Sequence, residues 1–203
     1  MSDRDRVGLL HAIRADDLSP EQERLWSSVT DGPRGAAPWM VNDGVLAGPF
    51  NAWLHVPEVG AGLAHAGEYL RFSSSLSPDV REIIIMTVGA HWRSEFEFWA
   101  HSGIARDEGV ADAVIDAIAA GDRAAVLSHS TPVAAAAYVT VCSLLDTGHV
   151  SESVLADLVA VVGEATAVEA VTLAGYYTCV SFTLNAFAVP LPDGVLPRFG
   201  EVL

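Results

Sequence analysis

The sequence has few basic residues and no long uncharged apolar run. Of its 203 residues, 11 are Lys or Arg and 26 are Asp or Glu, which gives a formal net charge of −15. This balance disfavours the phosphate backbone of nucleic acids and anionic membranes as partners. No apolar stretch reaches the roughly 18 residues of a membrane-spanning helix, and the first ten residues lack the apolar segment of a secretory signal. We therefore expect a soluble, cytoplasmic protein that binds neither nucleic acid nor membrane.

Cysteine is also scarce, because Cys142 and Cys179 are the only two. They lie far apart in apolar helical segments, without a C-x-x-C pair or a neighbouring histidine that would indicate a zinc site. We expect two buried thiols, and a disulfide between them remains the alternative. A Gly-rich phosphate loop, a G-x-S-x-G motif and an H-E-x-x-H motif are all missing. The sequence therefore predicts no nucleotide, flavin or metal cofactor.

Hydrophobic residues are abundant, at 51% of the chain against 18% charged residues. This supply exceeds what a core of this size needs, and the surplus indicates an interface between subunits. The apolar residues recur at spacings of three and four, and no segment alternates convincingly as a strand does. We predict one all-α domain over residues 1–203, and two small helical halves that share one core are the alternative that this length allows.

Helix starts and stops are well marked in this chain. Serine followed by proline, at Ser19-Pro20 and Ser77-Pro78, is typical of a helix N-terminus. We expect irregular structure in the Gly- and Pro-rich segment 31–48, which is either a functional cover or a surface wrap, and in the tail from residue 190. The expected helices are a short patch at 7–13, then 19–30, 50–72 with a break at Pro57, 77–109, 111–121, 131–148, 151–163 and 166–189.

The stretch 77–109 concentrates ionisable groups in an apolar setting. In one straight helix, Glu82 and His101 would lie roughly 28 Å apart, at 1.5 Å per residue. However, Gly89 interrupts the apolar period, and the S-x-x-E pattern that begins at Ser94 matches a capping box. We therefore predict two helices, at about 78–89 and 94–106, that pack antiparallel as a hairpin.

In this hairpin Glu82 can face the second helix, where Glu97 and His101 share one face. The N-terminus of that helix at Ser94 favours an anion. Glu97 can hold the imidazole tautomer, and acidic neighbours in apolar surroundings can set the pKa of His101 for acid–base work. The alternative is that Ser94 and Glu97 only cap the helix, and that Glu97 and His101 form a surface pair.

Three further side chains are candidates for substrate contacts. Trp92 and Arg93 occupy the predicted turn, where Arg93 either clamps a substrate carboxylate or is a solvated turn residue. Tyr177 lies on an otherwise apolar helix, and its hydroxyl needs a partner there, which is either a ligand or a core group.

The spacing of the hairpin residues resembles that of the carboxymuconolactone decarboxylase family, related to the alkylhydroperoxidase D proteins. The thiol enzymes of that superfamily carry E-x11-C-x2-C-x3-H, and this chain meets the spacing with Glu82, Ser94, Glu97 and His101. Phe96–His101 is similar to the Tyr-Glu-Trp-x-x-His motif of its cysteine-free branch. The resemblance covers roughly residues 45–192 and includes four more segments, at 48–57, 77–82, 105–109 and 175–190.

The resemblance implies an alkylhydroperoxidase D-like helical bundle around a central antiparallel hairpin. Its core would span residues 46–192, with an N-terminal extension over 1–45 and a tail over 193–203. It also implies a homo-oligomer, as a trimer or hexamer. The absence of both motif cysteines argues against thiol peroxidase activity.

The resemblance further implies a cofactor-independent lyase that acts on a small carboxylated lactone or related carbonyl compound. His101 would donate or accept the proton, with Glu97 as its partner or second acid/base and Glu82 as a supporting acid. The expected substrate contacts are Ser94, Trp92, Arg93 and Tyr177. A sister isomerase or dehydratase reaction, and a non-catalytic binding or structural role, are the alternatives.

Overall fold

The fold is helical, as predicted, in a computed structural model that describes residues 5–200. Two short antiparallel strand pairs accompany the helices: β1 (Arg6–Val7) with β2 (Leu10–His11), and β3 (Val41–Asn42) with β4 (Val45–Leu46). Within the described range, none of the helices has the length and apolar character to cross a membrane. The helices are α1 (Pro20–Thr30), α2 (Phe50–Trp53), α3 (Pro57–Phe72), α4 (Pro78–His91), α5 (Glu95–Asp107), α6 (Asp112–Ala120), α7 (Arg123–Ser128), α8 (Pro132–Thr147), α9 (Glu152–Val162) and α10 (Glu164–Ala186).

The predicted helix starts are confirmed at α1, α3 and α4, each of which begins at a proline. Ser19 forms a complete capping box at α1: its hydroxyl accepts from the Gln22 backbone N–H, and the Gln22 side chain accepts from the Ser19 backbone N–H. These interactions satisfy N–H groups that have no partner inside the helix.

Three segments differ from the sequence prediction. The predicted helical patch at residues 7–13 is wrong, because β1 and β2 form a hairpin there around Gly8, whose φ is +57°. The segment 31–48 contains a second hairpin, turned at Asp43-Gly44 with φ values of 48° and 70°. An Asp-Gly pair is typical of such a turn. The short helix α7 lies in a segment for which no helix was predicted.

Contacts divide the described chain into two compact units, residues 5–73 with 183–195 and residues 74–182 with 196–200. In the first unit α1 packs against α3, with Leu25 and Val29 fully buried on α1. The prediction of a single domain stays a prediction.

The second unit is built around α4, which packs against α5, α6 and α8. Its middle is apolar on nearly every side, and Ile84, Ile85 and Met86 have no exposed surface. A helix that is apolar all round belongs in a core. This burial explains how α4 can hold an ionisable side chain away from water.

The turn between α4 and α5 confirms the predicted hairpin, with α4 two residues longer than expected. Gly89 does not end α4 but lies within it. The chain reverses at Arg93, whose φ is +50°. The Ser94 N–H donates to the Gly89 carbonyl and the Arg93 N–H to the Ala90 carbonyl, which is the hydrogen-bond pattern of a Schellman motif. Ser94 therefore follows the end of α4 and also begins α5.

Candidate active site

The centre of the site is a contact between the two helices of the hairpin. Glu82 on α4 is fully buried, and its Oε2 lies 2.6 Å from Nδ1 of His101 on α5. The ring nitrogen donates to the carboxylate. A buried carboxylate is costly without such a partner, and Arg81 supplies a second one, with Nε 3.4 Å from Glu82 Oε1. Glu82 therefore holds the imidazole in place from its Nδ1 side.

Glu97 lies on the other side of the same imidazole. It precedes His101 by one helical turn, and its Oε1 is 3.1 Å from His101 Nε2. The alignment of these atoms falls short of a hydrogen bond, so the buried Oε1 has no hydrogen-bond partner among residues 5–200. Buried polar atoms without partners are uncommon in folded proteins. Glu97 therefore presents an oxygen that can still accept a proton or a hydrogen bond.

The charges around the imidazole favour its protonated form. Burial disfavours the charged ring, but the carboxylates of Glu82 and Glu97 outweigh this effect, and the pKa of His101 is raised above its ordinary value. With His101 protonated, two carboxylates face two cations, His101 and Arg81. The site thus holds a proton between two buried carboxylates.

Tyr177, a predicted substrate contact, is brought to the site by α10. Its ring meets the His101 ring edge to face, with centroids 5.1 Å apart, and only 3% of the residue is exposed. The contact restricts rotation of the imidazole. It also places the tyrosine against the group that would transfer a proton.

The two predicted turn residues make their contacts elsewhere. Trp92 donates from Nε1 to Thr178 Oγ1 and stacks edge to face on Phe182. Arg93 donates to the carbonyl of Phe199 and lies over its ring. Both side chains pack against other parts of the second unit, and their predicted roles in substrate binding stay predictions.

Ser94 corrects one sequence interpretation. It is the N-cap residue of α5, but its side chain makes no capping hydrogen bond, so the predicted capping box is wrong. Ser94 Oγ is fully buried and has no hydrogen-bond partner within the described chain.

Two cavities lie away from these residues. One, of 260 Å³, lies in the second unit beside Thr87, His91 and Arg93, and Tyr138 and Cys142 also line it. The other, of 320 Å³, lies between α1 and α3 in the first unit. Neither is lined by Glu82, Glu97 or His101. The side chains of Glu82, Glu97 and His101 are themselves almost inaccessible to solvent.

Arg81 is a member of the site that sequence reasoning did not single out. Neighbouring residues on a helix do not normally face each other, so an Arg81–Glu82 contact is not expected from spacing. Its Nε nevertheless reaches the Glu82 carboxylate, and its side chain is only 12% exposed. Its only sequence signal was its position in the S-P-x-x-R-E segment that begins at Ser77.

Neither cysteine forms a disulfide, and neither belongs to the acid–histidine cluster. Cys142 is buried, as predicted, and burial raises its pKa. Cys179 is exposed on α10, which contradicts the prediction of a buried thiol. Among residues 5–200, no group of three or more His, Cys, Asp and Glu side chains has the arrangement of a metal site.

The fold is similar to that of a solved crystal structure. The crystal structure of an alkylhydroperoxidase AhpD core protein from Ralstonia eutropha JMP134, described as an uncharacterized peroxidase-related protein, matches with a TM-score of 0.72. The two sequences are 16% identical, and the match covers 96% of this chain and 95% of that one. No protein-family model matches the sequence, and the comparison with curated proteins found no match.

This likeness confirms the predicted fold. The chain has the all-α alkylhydroperoxidase D-like architecture, with the central helix hairpin at its core. At this level of identity the match extends to the fold and not to the reaction.

Proposed function

We propose that this protein is a cofactor-independent acid–base enzyme that resembles carboxymuconolactone decarboxylase. Its substrate would be a small carboxylated lactone or a related carbonyl compound. The observation that carries the proposal is the buried series Glu82–His101–Glu97, in which His101 contacts a carboxylate through each ring nitrogen. Buried groups with shifted pKa values are typical of functional sites.

The geometry supports a different role for each carboxylate. Glu82 makes the shorter contact, 2.6 Å to Nδ1, and orients the ring. Nε2 therefore faces the reacting atoms, together with Glu97. In a decarboxylation, the bond to the leaving CO₂ breaks and its electron pair forms an enolate. A proton from His101 then adds to the enolate carbon, and Glu97 is placed to return a proton from water to Nε2.

Isomerisation and dehydration use the same proton transfers, so the same groups would also serve a sister reaction. In these reactions Glu97 or neutral His101 first removes a proton next to the carbonyl, and the partner returns one at another position. The substrate, rather than the acid–base series, would decide among these outcomes.

Thiol peroxidase chemistry is poorly supported, although the structural relative is called peroxidase-related. At the two positions where the E-x11-C-x2-C-x3-H motif of the thiol enzymes has cysteine, this chain has Ser94 and Glu97. Cys142 lines a separate cavity, and its raised pKa opposes formation of the thiolate that such chemistry requires.

A second candidate is a non-catalytic role in small-molecule binding or assembly. The enclosed position of the site favours this candidate, because Glu97 and His101 are only 4% and 5% exposed. A substrate must displace neighbouring side chains to reach Nε2. In this alternative the acid–histidine series only stabilises the hairpin.

Turnover of carboxylated lactones separates the two candidates. We expect His101→Ala and Glu97→Gln to lower kcat by about 10²–10⁴-fold, the usual contribution of a positioned acid or base. His149→Gln, which removes an exposed histidine, is the control. Circular dichroism of each variant checks that the fold is retained. Unchanged turnover in His101→Ala would remove the acid–base role.

We also propose that the protein is a homo-oligomer that associates through α10. Its outer face carries exposed, uncharged residues at helical spacing, with Val168 66% and Phe182 50% exposed. Gly175 and Cys179 continue the same face. Because α10 is apolar on its buried side as well, it has the character of a helix covered on both sides. A second copy of this chain would bury the outer face.

A further inference from the structure

Ser181 on α10 has a buried hydroxyl that the acid–base series does not use. The residue has no exposed surface, and its Oγ has no hydrogen-bond partner within residues 5–200. Three other buried hydroxyls on helices, those of Thr87, Ser102 and Thr140, each donate to the carbonyl four residues earlier. This bond is open to any helical serine or threonine. The Ser181 hydroxyl, in contrast, does not donate a hydrogen bond to the carbonyl four residues earlier.

The contacts of α10 show which way it runs along the hairpin. Tyr177 meets His101 in the middle of α5, whereas Thr178 and Phe182 both meet Trp92, just before α5 begins. As α10 proceeds from Tyr177 to Phe182, it therefore passes from the middle of α5 towards its N-terminus.

This direction places Ser181 beside the start of α5. Ser181 follows Tyr177 by one turn, a rise of about 6 Å, and it lies on nearly the same face of α10. On α5, Glu97 lies one turn before His101. Ser94 lies one turn before Glu97, on the same face of the helix. Ser94 Oγ, Glu97 Oε1 and Ser181 Oγ are thus brought to the same end of the site. The two hydroxyls are buried without a hydrogen-bond partner in the described chain, and Glu97 Oε1 has its ion-pair contact with His101 Nε2.

We propose that Ser181 and Ser94 bind the carbonyl oxygen of the substrate next to Glu97. This inference rests on the proposed function and names the part of the substrate that the site recognises. Two neutral hydroxyl donors suit a carbonyl oxygen. When the carbonyl becomes an enolate, the same hydroxyls and the free N–H groups at the start of α5 stabilise the developing charge.

The first test measures stability and needs no substrate. Replacing Ser181 by alanine removes a donor with no partner in the free protein, so the melting temperature of Ser181→Ala should stay the same or rise. Thr140→Val is the matched control, because it removes a buried hydroxyl that is hydrogen-bonded to Ala136. That variant should melt about 2–4 °C lower. A similar loss in both variants would show a satisfied structural hydroxyl at Ser181 and overturn the proposal.

The second test measures binding by calorimetry with two probes of similar shape. One is γ-butyrolactone-γ-carboxylate, and the other is tetrahydrofuran carboxylate, which has the same ring and carboxylate but no ring carbonyl. The wild-type protein should prefer the lactone, and Ser181→Ala should weaken lactone binding by about tenfold while leaving the ether unchanged. Thr140→Val should bind both probes as the wild type does.

The outcomes separate this inference from the proposed function. Equal binding of the two probes by the wild-type protein, or equal lactone binding by Ser181→Ala and wild type, would overturn the carbonyl site. A selective loss of lactone binding in Ser181→Ala without turnover of any lactone by the wild type would support the carbonyl site and reject catalysis.

Discussion

His101 Nδ1 lies 2.6 Å from Glu82 Oε2, a contact that joins α4 to α5 across 19 residues of sequence. It binds the hairpin together and leaves Nε2 as the ring nitrogen that faces Glu97. Because both partners are buried, their protonation is linked to the stability of the fold as well as to the proposed chemistry.

We predict that the protein loses stability as the pH rises through the pKa of His101. Its pKa is raised in the folded state, since Glu82 and Glu97 outweigh the effect of burial. The stabilisation is therefore complete below the ordinary value of about 6.5 and disappears as the pH passes the raised value. Urea unfolding from about pH 6 upward should show this fall in the free energy of unfolding.

Two variants test the origin of that pH dependence. In His101→Gln, the free energy of unfolding should no longer decrease over this pH range. In Glu82→Gln, the decrease should occur at lower pH, because one of the two carboxylates that raise the pKa of His101 is gone. His149→Gln, at an exposed position, is the control. Parallel pH profiles for the wild type and His101→Gln would rule out His101 as the titrating group.

Ser94→Ala should change stability little, although Ser94 is an N-cap residue. Its hydroxyl makes no capping bond, whereas Ser19 forms a full capping box at α1. Loss of a working cap costs about 1 kcal/mol, so Ser19→Ala should lower the free energy of unfolding by about that amount and Ser94→Ala by less than about half of it. Chemical denaturation of both variants measures their free energies of unfolding. An equal decrease in Ser19→Ala and Ser94→Ala would mean that Ser94 does cap α5.

Gly89→Ala should stabilise the hairpin. Gly89 lies inside α4, and an added Cβ would meet Glu97 Cγ and the Phe98 backbone nitrogen at 3.5 Å, an ordinary contact. Alanine within a helix is favoured over glycine by about 0.5–1 kcal/mol. Gly62→Ala on α3, where the added Cβ meets nothing within 4 Å, is the control and should gain a similar amount. A clear loss of stability in Gly89→Ala alone would mean that α4 and α5 pack too closely for a methyl group.

Val168→Glu should dissociate the proposed oligomer. It places a charge on the exposed uncharged face of α10, where a partner copy would bury it at high cost. Leu196→Glu is the control, because Leu196 is 86% exposed in the tail and outside that face. Light scattering of the two variants gives their masses. A monomeric wild-type protein, or an unchanged mass for Val168→Glu, would contradict association through α10.

Much of the helical framework could be predicted from local sequence. Serine–proline pairs marked the starts of α1 and α4, Pro57 marked α3, and glycines marked the ends of α6 and α8. These signals act within one helical turn, so they are readable without knowledge of the fold. The hairpins at Gly8 and Asp43-Gly44 were missed because two-residue strands leave almost no periodic pattern.

The candidate site was determined by the sequence only in part. The spacing of Glu97 and His101 places them on one face of a helix whatever surrounds it. Only the tertiary structure decided that Glu82 takes the Nδ1 side of the imidazole and that Arg81 turns towards Glu82. Packing of distant segments likewise left Cys179 exposed and buried Ser181. The physical reason is that helical spacing is local in sequence and assigns a residue only to a face of its helix. The contacts of that residue depend on which distant helix packs against that face.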